Sequence, residues 1–465
     1  MEQLKIDGRW WIPGSGHSAH GYLTVDASGL QLELTEDLVP LPEDEVTRAS
    51  TPEWTVTPVI HGRGFDGQEV TLFEAGGANM VGASVWGDHE FYRPRYAAVG
   101  GLISDSQISE GRFSFDQLVS WTQAPSITPK TSDRERFTAE VAPTTLESAH
   151  CAGVRLSLLY GVEGRWGGDS VHLDRWVAFD ATCDAPMTVE HFAAKVVRPV
   201  QNLLSVMIGV SVRLTMLSVL PLDVGDSRDP LDVYFSPNQA DDTTPISSAA
   251  MASYTTPALF MRSELFAAVP FPELIDRWFQ LDRELRKCVV QLLAAQYRAA
   301  MYSDHRFTTA FAAAENYAKK RYRTTELDDD DIDARVSSLI DAARANNIDI
   351  DVISWAEERL LRNDRRLAGL VDDLITHTGA AGQRLQAADP KIASRLSGTR
   401  GPVSHGASKS SGDALHWYAE VLRWLVRGHL AIELGMPPDA VWERVDARAL
   451  FRRACKELAV EPAET

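Results

Sequence analysis

The hydrophobic periodicity of the chain changes once, near Phe271, and this change limits the fold to two unlike parts. Before it, apolar and polar residues alternate, as in "HGYLTVDASGLQLEL" (20–34), which is typical of half-buried strands joined by a tight turn. After it, apolar residues recur every three or four positions, as in "ELIDRWFQLDRELRKCVVQLLAAQYRA", which is typical of amphipathic helices. The sequence therefore predicts an α+β multidomain protein, β-rich first and all-α second.

The boundary between the two parts is expected in a segment rich in Asp, Pro and Ser. This segment, "DVGDSRDPLDVYFSPNQADDTTPISSAA" (223–250), is interpreted as an extended loop or linker. We predict a β-rich domain over 1–240, a linker or domain junction over 241–268 and a helical domain over 269–465. One helix is expected inside the first domain over 188–209, with Thr188 as its N-cap. The run "ELDDDDID" (326–333) is interpreted as a solvated acidic connection between two helices.

Charge is distributed unevenly between the two parts. The first 261 residues carry 17 Lys and Arg against 34 Asp and Glu, whereas residues 262–465 carry 29 against 31. The first part would therefore repel nucleic acid, while the second is nearly neutral and rich in arginine. We expect the two domains to have different partners.

Several sequence features of exported, membrane and cofactor-binding proteins are missing from this sequence. It has no run of eighteen apolar residues, its N-terminus lacks the layout of a signal peptide, and its four cysteines are widely spaced, so we expect a cytoplasmic protein that does not enter membranes. The P-loop, zinc-protease and nucleophile-elbow motifs are all missing. We expect neither a cofactor nor a metal.

The stretch "GTRGPVSHG" (398–406) supplies the candidate site, Arg400 and His405. Arginine can bind a phosphate through two parallel hydrogen bonds, and histidine can move protons near neutral pH. Three other arginines are followed by a histidine at similar spacing, but only this pair falls in a Gly/Pro/Ser-rich segment before a long apolar helix. From the residues alone, a polar loop with a chance arginine and histidine remains an alternative.

Both parts of the chain resemble one family. The stretch "SRLSGTRGPVSHGASKSSGDALHWYAEVLRWLVRGHLAIELGMP" is similar to the end of HEPN domains of the ApeA-like type, in which an arginine and a His-Gly pair precede a final long helix. "IDGRWWIPGSGHSAHGYLTVDASGLQLEL" and "VIHGRGFDGQEVTLFEA" resemble the N-terminal domain that accompanies this HEPN type.

The resemblance implies an anti-phage defence protein of the abortive-infection kind. Its HEPN domain would be a metal-independent endoribonuclease acting on RNA, a tRNA or another cellular RNA, and would work as a homodimer. Arg400 and His405 match the catalytic pair of the family. The N-terminal domain would sense a phage-derived trigger.

Three further residues are candidates for an auxiliary role: Glu315, on an alanine-rich helix, His416, early in the final helix, and Arg395, just before the pair. For each of them, an ordinary surface or packing role is the favoured alternative. Gly401 follows Arg400, whereas the family usually has Asn or another polar residue there. The alternative function is therefore a non-catalytic HEPN module that binds RNA, nucleotide or a protein partner.

Overall fold

A computed structural model of the chain divides into two compact units, residues 1–280 and 281–465, which are described separately. The residues that it describes are 4–26, 29–38, 55–80, 89–103, 107–123, 129–133, 136–139, 144–167, 170–222, 229–236, 258–297, 301–322, 325, 329–360, 366–404 and 411–460.

The first unit begins with a closed antiparallel barrel. Its strands are β1 (Leu4–Trp11), β2 (Ala19–Asp26), β3 (Gly29–Leu34), β4 (Thr55–Gly64), β5 (Glu69–Met80) and β6 (His89–Arg93). The barrel closes in the order β5-β4-β1-β2-β3-β6 because β6 pairs with both β3 and β5. Its interior holds the alternate apolar residues of each strand, with Trp10 and Leu23 fully buried. The predicted hairpin is confirmed: Asp26 pairs with Gly29, whose φ of 127° suits glycine.

An antiparallel sheet continues from the barrel through β5, whose first half pairs with β7 (Tyr96–Val99) and whose second half pairs with β6. The remaining strands are β8 (Gln107–Phe115), β9 (Pro129–Asp133), β10 (Arg136–Ala139), β11 (Thr144–Cys151), β12 (Val154–Gly167), β13 (Ser170–Thr188), β14 (Leu214–Pro221) and β15 (Leu231–Phe235). From β7 the sheet runs β15-β14-β8-β13-β12-β11, while β9 and β10 form a separate hairpin.

One face of this sheet packs on a buried helical segment. It comprises α2 (Val189–Phe192), a π-helical turn (Ala193–Val197) and α3 (Arg198–Ile208); α1 (Leu118–Thr122) precedes it in the chain. The Thr188 hydroxyl accepts a hydrogen bond from the His191 N–H, so the predicted helix and its N-cap are confirmed. The Phe192 ring lies edge-on to Phe113 of β8, with ring centroids 6.0 Å apart.

The segment interpreted as a linker is partly folded. Residues Leu231–Phe235 form β15 between β14 and β7, because Leu231, Val233 and Phe235 alternate as buried side chains in spite of the flanking Asp and Pro. The loop interpretation is wrong for these residues. Helix α4 (Arg262–Ala268) also packs in this unit, where the Trp121 indole donates to the Phe260 carbonyl at 2.9 Å.

The second unit is a helical bundle. After α5 (Phe271–Glu284) come α6 (Arg286–Tyr297), α7 (Ser303–Arg321), α8 (Asp329–Ala345), α9 (Ile350–Leu360), α10 (Leu367–Thr376), α11 (Gly379–Ala388), α12 (Ile392–Ser404), α13 (Gly412–Glu433), α14 (Pro438–Asp446) and α15 (Ala449–Val460). The predicted α+β class, β-rich and then all-α, is confirmed. The expected connection over 326–333 is wrong from Asp329 onward, where α8 begins, because carboxylates are favoured at a helix N-terminus.

Helices α7 and α13 lie at the centre of the bundle and run in parallel. Phe307 and Tyr418 have ring centroids 6.0 Å apart near their starts, and Tyr317 and His429 stack at 5.1 Å two to three turns later. Helices α6, α10 and α12 pack on α7, and α14 and α15 pack on α13. The last long helix, α13, stops before Gly435, whose φ is 102°. Within the described residues, no helix combines the length and apolar character needed to cross a bilayer.

Candidate functional site

Arg400 lies on a helix, not in the loop that the sequence predicts. It sits one turn before the end of α12, which continues through Gly401 and Pro402 to Ser404. Pro402 has no N–H and so removes one hydrogen bond of the ladder, the one to the Gly398 carbonyl. Buried Leu396 and Val403, two turns apart on one face, hold this part of the helix against the bundle. Interpreting the Gly and Pro as loop residues was therefore wrong for 398–404.

The Arg400 side chain meets Glu315 of α7. Its Nη2 lies 3.3 Å from Glu315 Oε2, and Lys319 Nζ lies 2.7 Å from the other carboxylate oxygen. Glu315 is only 15% exposed, whereas Arg400 is 46% exposed. One carboxylate thus lies between two cations, and a half-exposed guanidinium is open to an anionic ligand. The structure brings together these two of the five candidates.

His405 lies outside the described residues, so its role stays a prediction. The chain is described up to Ser404, whose hydroxyl donates to the Arg400 carbonyl at 2.9 Å. It is described again from Ser411, whose hydroxyl accepts the Ala414 N–H at 3.1 Å and so caps α13.

Arg395 points away from Arg400. Five residues of helix separate them, which turns one side chain by about 140° from the other. Arg395 Nη1 instead lies 3.3 Å from Asp389 Oδ2, a carboxylate that is 2% exposed. The other oxygen of Asp389 accepts the Lys391 N–H at 3.0 Å, at the start of α12. These contacts give Arg395 a structural role at the first turn of the helix.

His416 lies at a different level of the bundle from Glu315. Because Tyr317 stacks on His429 and the helices are parallel, Glu315 lies level with about residue 427 of α13. His416 comes about eleven residues earlier, which is roughly 16 Å along the helix. The described contact of its ring is with the neighbouring Trp417, at 4.6 Å between centroids. The structure does not bring His416 to the Arg400–Glu315 pair.

A buried histidine of the same bundle is structural. His429 is 5% exposed, its Nε2 lies 2.9 Å from the Leu374 carbonyl oxygen, and burial lowers its pKa to about 4. It is therefore neutral near pH 7, and Nε2 carries the proton that it donates to Leu374. The nearby Arg423 pairs with Glu420 instead. This Arg–His spacing within one helix does not form a joint site.

The basic stretch "KKRYR" (319–323), which begins in the last turn of α7, is partly neutralised by carboxylates of the bundle. Arg321 Nε lies 2.6 Å from Glu433, and its Nη2 lies 3.1 Å from Glu284. Together with the Lys319–Glu315 pair, these contacts leave less free positive charge than the sequence "KKRYR" suggests.

Sequence reasoning missed two residues that shape the site. Lys319 binds the same carboxylate as Arg400, and its signal was the Glu-to-Lys spacing of four residues on one helix. Asp389 anchors Arg395 and the start of α12, and its signal was an Asp-Pro step just before a helical pattern.

Two family models match the chain, one within each unit. A family model described as ApeA N-terminal domain 1 matches residues 5–264, and one described as Apea-like HEPN matches residues 308–440. The second match contains Glu315, Arg395, Arg400, His405 and His416. No curated protein and no solved structure gives a significant match. The first model alone covers more than half of the chain, so the chain belongs to the ApeA family, with ApeA N-terminal domain 1 followed by an Apea-like HEPN module.

Proposed function

We propose that this chain is an anti-phage defence protein whose HEPN module cuts RNA after infection. The observation that carries the proposal is the half-exposed Arg400 guanidinium, held by the largely buried Glu315 inside the HEPN match. An arginine that is both ordered and reachable is suited to bind a phosphate.

The proposed reaction uses the 2′-hydroxyl of the RNA itself. The 2′-oxygen attacks the adjacent phosphorus and the bond from phosphorus to the 5′-oxygen breaks, which leaves a 2′,3′-cyclic phosphate and a 5′-hydroxyl. Arg400 stabilises the charge that develops on the phosphate. His405 takes the proton from the 2′-hydroxyl and a proton is returned to the leaving 5′-oxygen. Glu315 fixes the direction of the guanidinium. In a homodimer, each protomer would supply one such set.

The first domain is assigned the regulatory role in this proposal. Its strong negative charge is unsuited to binding RNA, and a barrel joined to a further antiparallel sheet offers surfaces for recognising a phage-derived trigger. The RNA that is cut would be a tRNA or another cellular RNA.

A second function is favoured by two observations. Gly401 stands where the family usually has a polar residue, and Glu315 already partly neutralises Arg400. Both would suit a module that binds RNA, nucleotide or a protein partner without cutting. In that case an intact imidazole at position 405 would not be required.

The experiment is plaque formation by a phage panel on bacteria carrying wild type, Arg400→Ala or His405→Ala, with total RNA sized from the same cells. Matched controls are Arg453→Ala, a 65% exposed arginine of the same unit, and His305→Ala, an exposed histidine. For a nuclease we expect RNA fragments and protection with wild type and both controls, and loss of both effects with the two site variants at equal protein levels. Protection that survives His405→Ala would support the binding module instead.

A further inference from the structure

The hairpin formed by α8 and α9 exposes an unusual amount of apolar surface. Of the eleven large hydrophobic side chains that are exposed in the described part of the chain, five lie between residues 339 and 355. They are Leu339, Ile348, Ile350, Val352 and Trp355, each between 47% and 63% exposed. Apolar side chains grouped in this way mark interaction sites, whereas single ones do not.

The core of the hairpin is formed by other residues. Its two helices bury a small separate core of Val336, Ile340 and Ile353, against which Ile332 and Ala343 also pack. Measured from the buried Ile353, Ile350 lies about 60° to one side around the axis of α9, whereas Val352 and Trp355 lie about 100° and 160° to the other side. Helix α9 is therefore apolar far beyond the face that it buries, which is the composition of a covered helix.

The charge of the hairpin limits what can cover it. Residues 329–360 hold nine Asp or Glu against three Arg, a formal charge of −6. RNA would be repelled by this surface. A second copy pairing through the same face would bring together two negatively charged surfaces, which electrostatic complementarity disfavours. A basic partner with apolar side chains matches both properties.

We propose that the α8–α9 hairpin is a docking surface for a basic, apolar segment of a partner protein. The apolar side chains of that segment would cover Val352 and Trp355, which share one face of α9, and its Lys or Arg residues would lie against the surrounding carboxylates. This surface is separate from the Arg400–Glu315 pair and does not depend on the RNA-cutting function.

The test uses the full-length protein and labelled peptides of about 18 residues, long enough to form a helix on binding. The probe has Lys on one helical face and Leu on the other; a second peptide has Glu in place of Lys, and a third has Ser in place of Leu. Fluorescence anisotropy measures binding to wild type, to Val352→Ser/Trp355→Ser and to Asp341→Asn/Asp349→Asn. Asn retains the capping ability of Asp349, whose Oδ1 accepts the Asp351 N–H. The matched control is Leu450→Ser, a 49% exposed leucine on α15.

We expect the Lys/Leu peptide to bind wild type and the control alike, and to bind the apolar double variant about tenfold more weakly. The Asn double variant should bind several-fold more weakly at low salt. The proposal is overturned if wild type fails to bind the Lys/Leu peptide, if the Lys/Ser peptide binds as tightly, or if Leu450→Ser loses as much binding as the hairpin variants. Sedimentation supplies another test: a wild-type dimer that dissociates in Val352→Ser/Trp355→Ser would identify a second copy as the occupant instead.

Discussion

At the scale of single residues, the ion pair with Glu315 holds the Arg400 guanidinium in one orientation. Glu315→Gln keeps the size of the side chain and one acceptor but removes the charge that holds the guanidinium. We expect RNA cleavage after infection to fall by roughly tenfold, because a phosphate contact made by a misdirected arginine is weaker in the transition state. The free energy of unfolding should change by less than about 1 kcal/mol, since the arginine is nearly half exposed. The amount of RNA fragments at equal protein level measures the effect.

The control for this variant is Lys319→Gln, which removes the second cation on the same carboxylate. It should cost much less activity, because Arg400 would keep its partner. An increase in cleavage with Glu315→Gln would show instead that the carboxylate competes with the RNA phosphate for Arg400.

His429 makes a pH-dependent contribution to stability. Burial holds its folded-state pKa at about 4, while the unfolded chain has about 6.5, so the unfolded state binds more protons between these values. Stability from this group is therefore fully present above pH 6.5 and falls by up to roughly 3 kcal/mol as the pH drops to 4. Hydrogen exchange of α13 amides, corrected for the intrinsic rate, should show weaker protection at pH 5 than at pH 7.

Two variants test this assignment. His429→Phe keeps the ring beside Tyr317 and Trp442 but cannot titrate, so its protection should depend less on pH. His305→Ala, at an exposed histidine, should retain the wild-type slope. Equal slopes for all three proteins would contradict the role of His429.

The chemistry of the residue types suggested members of the candidate site, but it did not predict how those members are arranged in space. Arg400 was identified because arginine can bind a phosphate, and Glu315 because it is an acidic residue on an alanine-rich helix; they lie 85 positions apart in the chain. No local pattern encodes that α7 and α12 cross at these positions, because the crossing is set by packing of the whole bundle. Arg395 and His416 show the converse, since their chemistry fits the proposed reaction but their positions do not. Arg395 points to another side of α12, and His416 lies farther along the bundle axis.

At the scale of secondary-structure elements, two glycines of the bundle should respond in opposite ways to a methyl group. A Cβ at Gly398 of α12 meets nothing within 4 Å, whereas one at Gly428 of α13 would lie 2.2 Å from the Trp442 ring. Gly398→Ala should stabilise the protein by up to about 1 kcal/mol through helix propensity. Gly428→Ala should destabilise it by about 1–3 kcal/mol through overpacking. Hydrogen exchange within each helix reports the two effects locally, and a shift of the same sign in both would contradict them.

The elements were predictable where burial repeats regularly. The barrel hairpins, the capped helix at Thr188 and the stop at Gly435 follow from alternation, an N-cap and a glycine of positive φ. Strand β15 and the end of α12 were missed because Asp, Pro and Gly were given more weight than the buried neighbours. In both places the tertiary contacts of two or three apolar side chains override the local signals.

At the scale of the whole molecule, the negative charge of the first 261 residues should repel RNA over a distance. A formal charge of −17 on the first part repels RNA electrostatically and so lowers the concentration of RNA around the chain. We expect this field to weaken RNA binding before a trigger is present. The triple variant Glu36→Gln, Glu110→Gln and Glu163→Gln removes three exposed negative charges from the first part.

Anisotropy of a labelled single-stranded RNA measures the effect on the full-length protein. At about 0.05 M salt the triple Gln variant should bind several-fold more tightly than wild type, and at about 0.3 M the difference should disappear because the Debye length shortens to roughly 6 Å. The matched control replaces the same three residues by Asp, which keeps the charge. Equal affinities of the Gln and Asp variants at low salt would show that the acidic domain does not exclude RNA electrostatically. A tighter Gln variant that also fragments RNA in uninfected cells would make this charge part of what keeps the resting protein silent.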